Sequence, residues 1–249
     1  MASPLPDRNK AILDPKDFVK HVLGEKTLEF QNYHSALICF DPVCFRYLRD
    51  MQKGNKNQDL TGEVVLLDNN LLLGGLMGIG APASVAFMEE LVACGVKRFI
   101  FLGTAGRLHQ NHNPAEIVIC RSAYSDEGTS RCYPDWSEEI ETTSVFFEQI
   151  KLFLGNNATI VKEVKSWTTD SPYMETHKKL EFYLRKGADV VEMEASALYS
   201  VAKYRRVDAA ALFVISDSLV GGQWIPFFGS HTVDNAQIEL AKKLLEFLT

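Results

Sequence analysis

A chain of 249 residues with 46% hydrophobic content can bury a sizeable core, and one domain over 1–249 is expected, its first 34 residues forming an N-terminal arm. A net charge of −6 without a long Lys/Arg run argues against nucleic acid or an anionic membrane as partner. No apolar run approaches the roughly 18 residues that span a bilayer, and Met1–Arg8 lacks a signal-peptide core, so a soluble, cytoplasmic protein acting on small molecules is expected.

After the arm, the apolar run 35–40 predicts a strand and 42–51 a helix, with a polar surface loop over 53–59. Residues 63–67 and 71–76 flank Asp68-Asn69-Asn70, which tolerate positive φ, and predict a hairpin. A helix over 83–94 has Pro82 near its first turn. Strands over 98–102 and 116–119, a polar loop over 120–136 and a helix over 138–154 come next. A strand over 158–165 leads into a loop over 166–172 and a helix over 175–186. Strand, helix and strand follow at 189–191, 193–204 and 209–216, then a loop rich in Gly, Pro and aromatic residues over 217–231. The last helix sets Ile238, Ala241, Leu245 and Leu248 on one face. This alternation predicts an α/β fold whose mostly parallel or mixed sheet is covered by helices on both faces. The five cysteines, with no C-x-x-C spacing, read as reduced thiols.

Chemistry concentrates where strands end. Glu192-Met193-Glu194 stands at the change from strand to helix. A carboxylate such as Glu194 can accept hydrogen bonds from two neighbouring ribose hydroxyls, and the polarizable Met193 can pack on a sugar face; an ordinary strand end is the alternative. Gly103-Thr104-Ala105-Gly106 follows the strand over 98–102, where open α/β sheets bind ligands, and reads as an anion cradle or a plain tight turn. Asp217 closes the strand over 209–216 at the same rim, as a proton donor of raised pKa or as a turn cap. Gly78-Ile79-Gly80-Ala81-Pro82-Ala83 matches G-x-G-x-x-A, but the acidic residue expected about 20 positions on is missing, which argues against a dinucleotide. His109 and His112 lack a third ligand pattern, so no metal site is expected, and without G-x-S-x-G a serine hydrolase is not expected either.

Taken in order, Met77-Gly78-Ile79-Gly80-Ala81-Pro82, Phe101-Leu102-Gly103-Thr104-Ala105-Gly106, Asp126-Glu127-Gly128-Thr129-Ser130, Thr168-Thr169-Asp170-Ser171-Pro172-Tyr173, Val191-Glu192-Met193-Glu194-Ala195 and Ile215-Ser216-Asp217-Ser218 resemble the nucleoside phosphorylase family, which contains purine nucleoside phosphorylase, uridine phosphorylase and methylthioadenosine nucleosidase. The resemblance implies a three-layer fold with a twisted mixed sheet, a nucleoside substrate, no cofactor beyond inorganic phosphate as co-substrate, and homodimers or larger assemblies with the active site near an interface. It implies that Glu194 binds the ribose hydroxyls beside Met193 and Glu192, that Asp217 protonates N7 of a purine, that Thr104 and Gly103 touch phosphate or ribose, and that Pro172 and Tyr173 border the base. His21 and His34 are candidates, by position only, for a histidine lent to the neighbouring subunit's sugar.

Four departures from the family pattern remove positive charge, at Cys44, Phe101, Ser125 and Met174. The usual Gly-Asp-Pro-x-Arg reads Phe40-Asp41-Pro42-Val43-Cys44, and three further arginine positions hold Phe101, Ser125 and Met174. Burying phosphate without cations is costly. Gly80, Thr104 and Arg107 remain as phosphate contacts, with Arg46 as a further cation. If water replaces phosphate, Asp41 or Glu127 must activate it. Phosphorolysis is therefore placed first, hydrolysis second, and a non-catalytic nucleoside-binding or storage protein third.

Overall fold

The computed structural model describes residues 11–52, 54–57, 60–134 and 136–249; Met1–Arg8 and part of the loop expected over 53–59 lie outside them. Part of the arm is helical. Asp14 caps helix α1 (Pro15–Leu23) by accepting from Lys16 N at 2.9 Å, and Val19 and Leu23 are buried on its inner face. A 3-10 turn over Gly24–Phe30 then buries Phe30.

Strand β1 (Ser35–Cys39) and helix α2 (Pro42–Met51) are followed by β2 (Gly54–Asn57), β3 (Glu63–Leu67) and β4 (Leu71–Gly75). The hairpin of β3 and β4 turns at Asn70, whose φ is 61°. Contrary to the loop expectation, β2 pairs antiparallel with β3. Helix α3 (Ala81–Ala93), against which α1 packs, precedes the long strands β5 (Arg98–Arg107) and β6 (Ile117–Asp126). Then come β7 (Glu139–Glu141), α4 (Ser144–Asn156), β8 (Lys162–Thr169), α5 (His177–Lys186), β9 (Val190–Glu192), α6 (Ala195–Arg205), β10 (Asp208–Ser218), β11 (Ile225–Pro226) and α7 (His231–Leu248).

Sheet order explains both the core and the position of the rim. β5, β1 and β4 run parallel, continued by the antiparallel β3 and β2. On the edge opposite β1, β5 pairs with β10; on the β1 edge, beyond the end of β1, its Gly106 and Arg107 pair with β9, while β10 pairs with β6, β6 with β8, and β8 with β9. These five strands therefore close on themselves as a ring. Period-two alternation feeds two cores: Ala36, Ile38, Phe99 and Phe101 face α3 and α6, while Leu37, Cys39, Ile100 and Leu102 face α2, α4 and α7. Burial on both faces is why these strands read as unbroken apolar runs.

Several strands are longer than their sequence predicts. β5 continues through Gly103–Gly106, whose backbone enters the ladder with β10 instead of forming an anion cradle, and β6 and β8 extend through residues assigned to loops. The helix expected from 138 begins at 144, after β7. The polar residues that suggested loops are buried because they have partners: Ser122 Oγ donates to Glu139 Oε1 at 2.6 Å and Ser166 Oγ to Glu192 Oε1 at 2.9 Å. Among the described residues no helix is long and apolar enough to cross a membrane.

Candidate active site

Glu192 builds the corner that follows β9. Its buried Oε2 accepts from Glu194 N and Ala195 N, each at 2.7 Å, and its Oε1 accepts from Ser166 Oγ and from Thr168 Oγ1. A carboxylate seated on the first amides of α6 complements the helix dipole and fixes how the chain enters the helix. Because all four bonds are internal, Glu192 positions its neighbours. Its carboxyl pKa is nevertheless raised, with burial outweighing those donors.

Glu194 faces a different amide. Its Oε1 accepts from Gly80 N at 2.7 Å, and Gly80, at φ 85°, is the N-cap of α3. A glycine loop before a helix suits an acceptor, and here the protein's own carboxyl group takes that place. The G-x-G-x-x-A match thus serves an internal carboxylate. Burial, and after it the charge of Glu192, push the Glu194 carboxyl up to about 8 against the pull of the Gly80 amide.

The opposite wall carries two acids. Asp217 follows a bulge in β10; its Oδ1 accepts from Ser216 Oγ at 2.9 Å and its Oδ2 from Trp224 Nε1 at 3.0 Å. Burial raises its pKa, opposed by those two donors. Glu175, just past the 3-10 turn Pro172–Met174, is pushed up to about 7 by burial and then by the charge of Asp217, with Lys179 opposing. Sequence reasoning missed Glu175, since an acid just ahead of a helix is an ordinary helix-start signal. Trp224 and Phe228 were visible only as members of an aromatic loop.

Gly106 leaves the room that Asp217 occupies. A Cβ there would lie 3.0 Å from Asp217 Oδ2, 3.0 Å from Leu219 Cδ1 and 3.1 Å from Val191 Cγ1. Gly106→Ala is therefore expected to leave the far-UV spectrum unchanged but to cut any activity that depends on the placement of Asp217 by about tenfold or more, because small misplacements in a site are expensive. An unchanged rate in a folded variant would show that the position of Asp217 does not matter.

These groups border one cleft. An inner chamber of about 310 Å³ is lined by Thr104, Met193, Glu194, Glu192, Asp217 and Pro172, together with Phe40, Asp41 and Glu175. Through Pro172, Glu175, Asp217 and Phe228 it shares walls with an outer lobe of about 770 Å³, where Tyr173 lies. Among the described residues the inner chamber is lined by five carboxyl side chains, those of Asp41, Glu175, Glu192, Glu194 and Asp217, and by no Lys, Arg or His.

Other candidates from the sequence lie elsewhere. Glu127 is buried outside the cleft, with Oε1 accepting from Ser125 Oγ at 3.1 Å and Ser196 Oγ at 2.9 Å, and Oε2 from Thr129 N at 2.5 Å and Ser130 N at 2.9 Å. Arg107 turns to His112 O and lies 5.7 Å from the Phe227 ring, so it does not line the chamber. His21, His34 and Arg46 are not among the lining residues of their own chain. His112 Nδ1 is 2.7 Å from Glu116 Oε2, and His109 Nε2 is 3.2 Å from Ala188 O.

Aromatic rings stand at one lost-arginine position, Phe101, and at the motif's lost glycine, Phe40. Phe40 stacks on Phe101 at 6.0 Å and Phe101 on Phe99 at 5.8 Å. Gly103 makes this close approach possible, since a Cβ on it would be 2.9 Å from Phe40 Cδ2. Asp41 Oδ1 caps α2, accepting from Val43 N at 2.7 Å and Cys44 N at 2.9 Å.

Residues 59–249 match the family model described as the phosphorylase superfamily. The chain belongs to this superfamily. It is 34% identical over 190 residues to a DeoD-type purine nucleoside phosphorylase of Streptococcus thermophilus, a match covering 72% of this chain and 80% of the relative. Among solved structures, purine nucleoside phosphorylase from Toxoplasma gondii in complex with immucillin-H superposes with a TM-score of 0.74 at 19% identity, covering 88% of this chain and 91% of that one. AMP nucleosidase from Bacteroides thetaiotaomicron VPI-5482 superposes with a TM-score of 0.75 at 16% identity, covering 94% and 97%. The mixed α/β fold with helices on both faces of the sheet is thus the superfamily's.

Proposed function

We propose that this chain cleaves the N-glycosidic bond of purine nucleosides and that water accepts the ribosyl group. The observation that carries this reading is the lining of the inner chamber: carboxyl groups border it, no Lys, Arg or His lies on it among the described residues, and Cys44 and Phe101 stand where phosphate-binding arginines are expected. With no cation among the described lining residues, nothing offsets the desolvation of a phosphate of one to two negative charges, whereas neutral water carries no such cost. This reverses the order that the sequence suggested.

Each lining group has a place in the reaction. As the C1′–N9 bond lengthens, its electron pair moves to the base and Asp217 gives a proton to N7, while the sugar becomes cationic beside Glu194 and Met193. Water then adds to C1′ and passes a proton to Asp41, the one proposed base that lines the chamber. Free base and free ribose result. Assembly into homodimers, with a site near the interface, belongs to the same reading and is checked by light scattering.

Phosphorolysis is the second reading, favoured by the identity with a purine nucleoside phosphorylase. Product analysis separates the two. Incubated with adenosine or inosine, the protein is expected to release base and free ribose at the same rate with and without phosphate. Ribose 1-phosphate, formed only when phosphate is supplied, would establish phosphorolysis instead. Binding of nucleoside without release of any base would leave a storage role.

A further inference from the structure

The outer lobe, at about 770 Å³, is more than twice the size of the chamber that holds the sugar corner. Its walls include Tyr173, Leu180, Leu219, Trp224 and Phe228, and Leu180 and Leu219 are buried beneath the exposed rings. Trp224 is tied to the proposed acid by its Nε1 bond to Asp217 and touches Phe228 at a ring separation of 6.0 Å, so the apolar wall begins at the protonating group itself.

Purine chemistry fixes what would enter this lobe. N7 and the 6-substituent lie on the same edge of the base, so an acid that donates to N7 also faces the group at position 6. Thr176 and His177 also line the lobe, but an unsubstituted amino or oxo group would still leave water against Leu180, Leu219, Trp224 and Phe228. We propose that the lobe receives a sizeable apolar or aromatic substituent on the 6-position, making 6-substituted purine nucleosides the preferred substrates. The inference rests on the nucleoside-cleaving reading. It adds the class of base, which that reading leaves open.

Binding of the free base tests it without requiring turnover. By calorimetry on the full chain, N6-benzyladenine is expected to bind about tenfold or more tightly than adenine, the gain associated with burying one aromatic side group. Leu180→Trp, which fills the lobe from below, is expected to collapse that ratio towards one. Tyr173→Ala, at an exposed position, is expected to reduce it and serves if the buried substitution does not fold. Equal or weaker binding of N6-benzyladenine by the unaltered protein would overturn the proposal, as would a ratio untouched by the folded variants. Base release from adenosine is scored separately: its absence, with the preference intact, would remove the catalytic reading and leave the lobe assignment standing.

Discussion

Glu194→Gln is expected to slow nucleoside cleavage about a hundredfold while making the protein harder to unfold. The loss follows from the charge on the sugar in the transition state: a carboxylate beside a developing cation strengthens its contacts there, and removing the charge costs on the order of 3 kcal/mol. The gain follows from linkage. The folded carboxyl, at about 8, lies above its ordinary 4.5. Below pH 4.5 both folded and unfolded chains hold the proton, but between 4.5 and 8 the unfolded chain releases it more readily, so Glu194 destabilises the fold increasingly as pH rises. Gln keeps an oxygen for the Gly80 amide and carries no such penalty, worth about 3 kcal/mol at pH 7 and rising towards roughly 5 kcal/mol above pH 8. Thermal melts should show the variant ahead of the parent at pH 8 and level with it near pH 4. A variant with full turnover, or with no stability advantage at alkaline pH, would refute the assigned environment.

Asp217→Asn is expected to abolish cleavage of purine nucleosides, by a factor of roughly a hundred to ten thousand, and to spare 4-nitrophenyl riboside, whose leaving group departs without a proton. The pH profile gives a second readout. Activity requires Asp217 protonated and Glu194 ionised, so kcat/KM for a purine nucleoside should be bell-shaped, one limb belonging to Glu194 at about 8 and the other to Asp217. For 4-nitrophenyl riboside the limb belonging to Asp217 should be missing, because that leaving group needs no proton. Equal losses on both substrates, or pH profiles of the same shape for both, would show that Asp217 is not the acid.

Legibility in the sequence followed whether a residue's partner was near in the chain or distant from it. The β3–β4 hairpin, helices α2, α3 and α7, and the strand-to-helix corner at Glu192-Met193-Glu194 could be located because periodicity and local turn chemistry mark them. The expected strands stopped short at Gly103, at Cys120 ahead of the polar run containing Ser122, and at Ser166, because a polar or small residue suggests solvent unless its partner is known. Those partners, Glu139 for Ser122 and Glu192 for Ser166, lie many residues away. The same limit applies at the site. Asp217, Met193 and Glu194 sit at strand ends and could be named from sequence, whereas Glu175 matters only because folding brings it beside Asp217. Arg107 was named for its charge and its place in the chain, and its guanidinium turns towards His112.

The ring of five strands has a kinetic consequence. Its closing member, β9, has 3 residues and joins β5 to β8, while the β5–β10 pairing brings residue 98 against residue 208. Such distant pairings carry the full entropy of loop closure before any contact compensates for it, which makes folding slow and late-committing. Phe40, Gly80, Glu194 and Asp217 come from four separate stretches of chain that meet only once the ring is shut. A partly folded chain, however rich in helix and strand, therefore has no cleft for a nucleoside, and ligand affinity acts on the equilibrium of the whole fold instead of on a local segment.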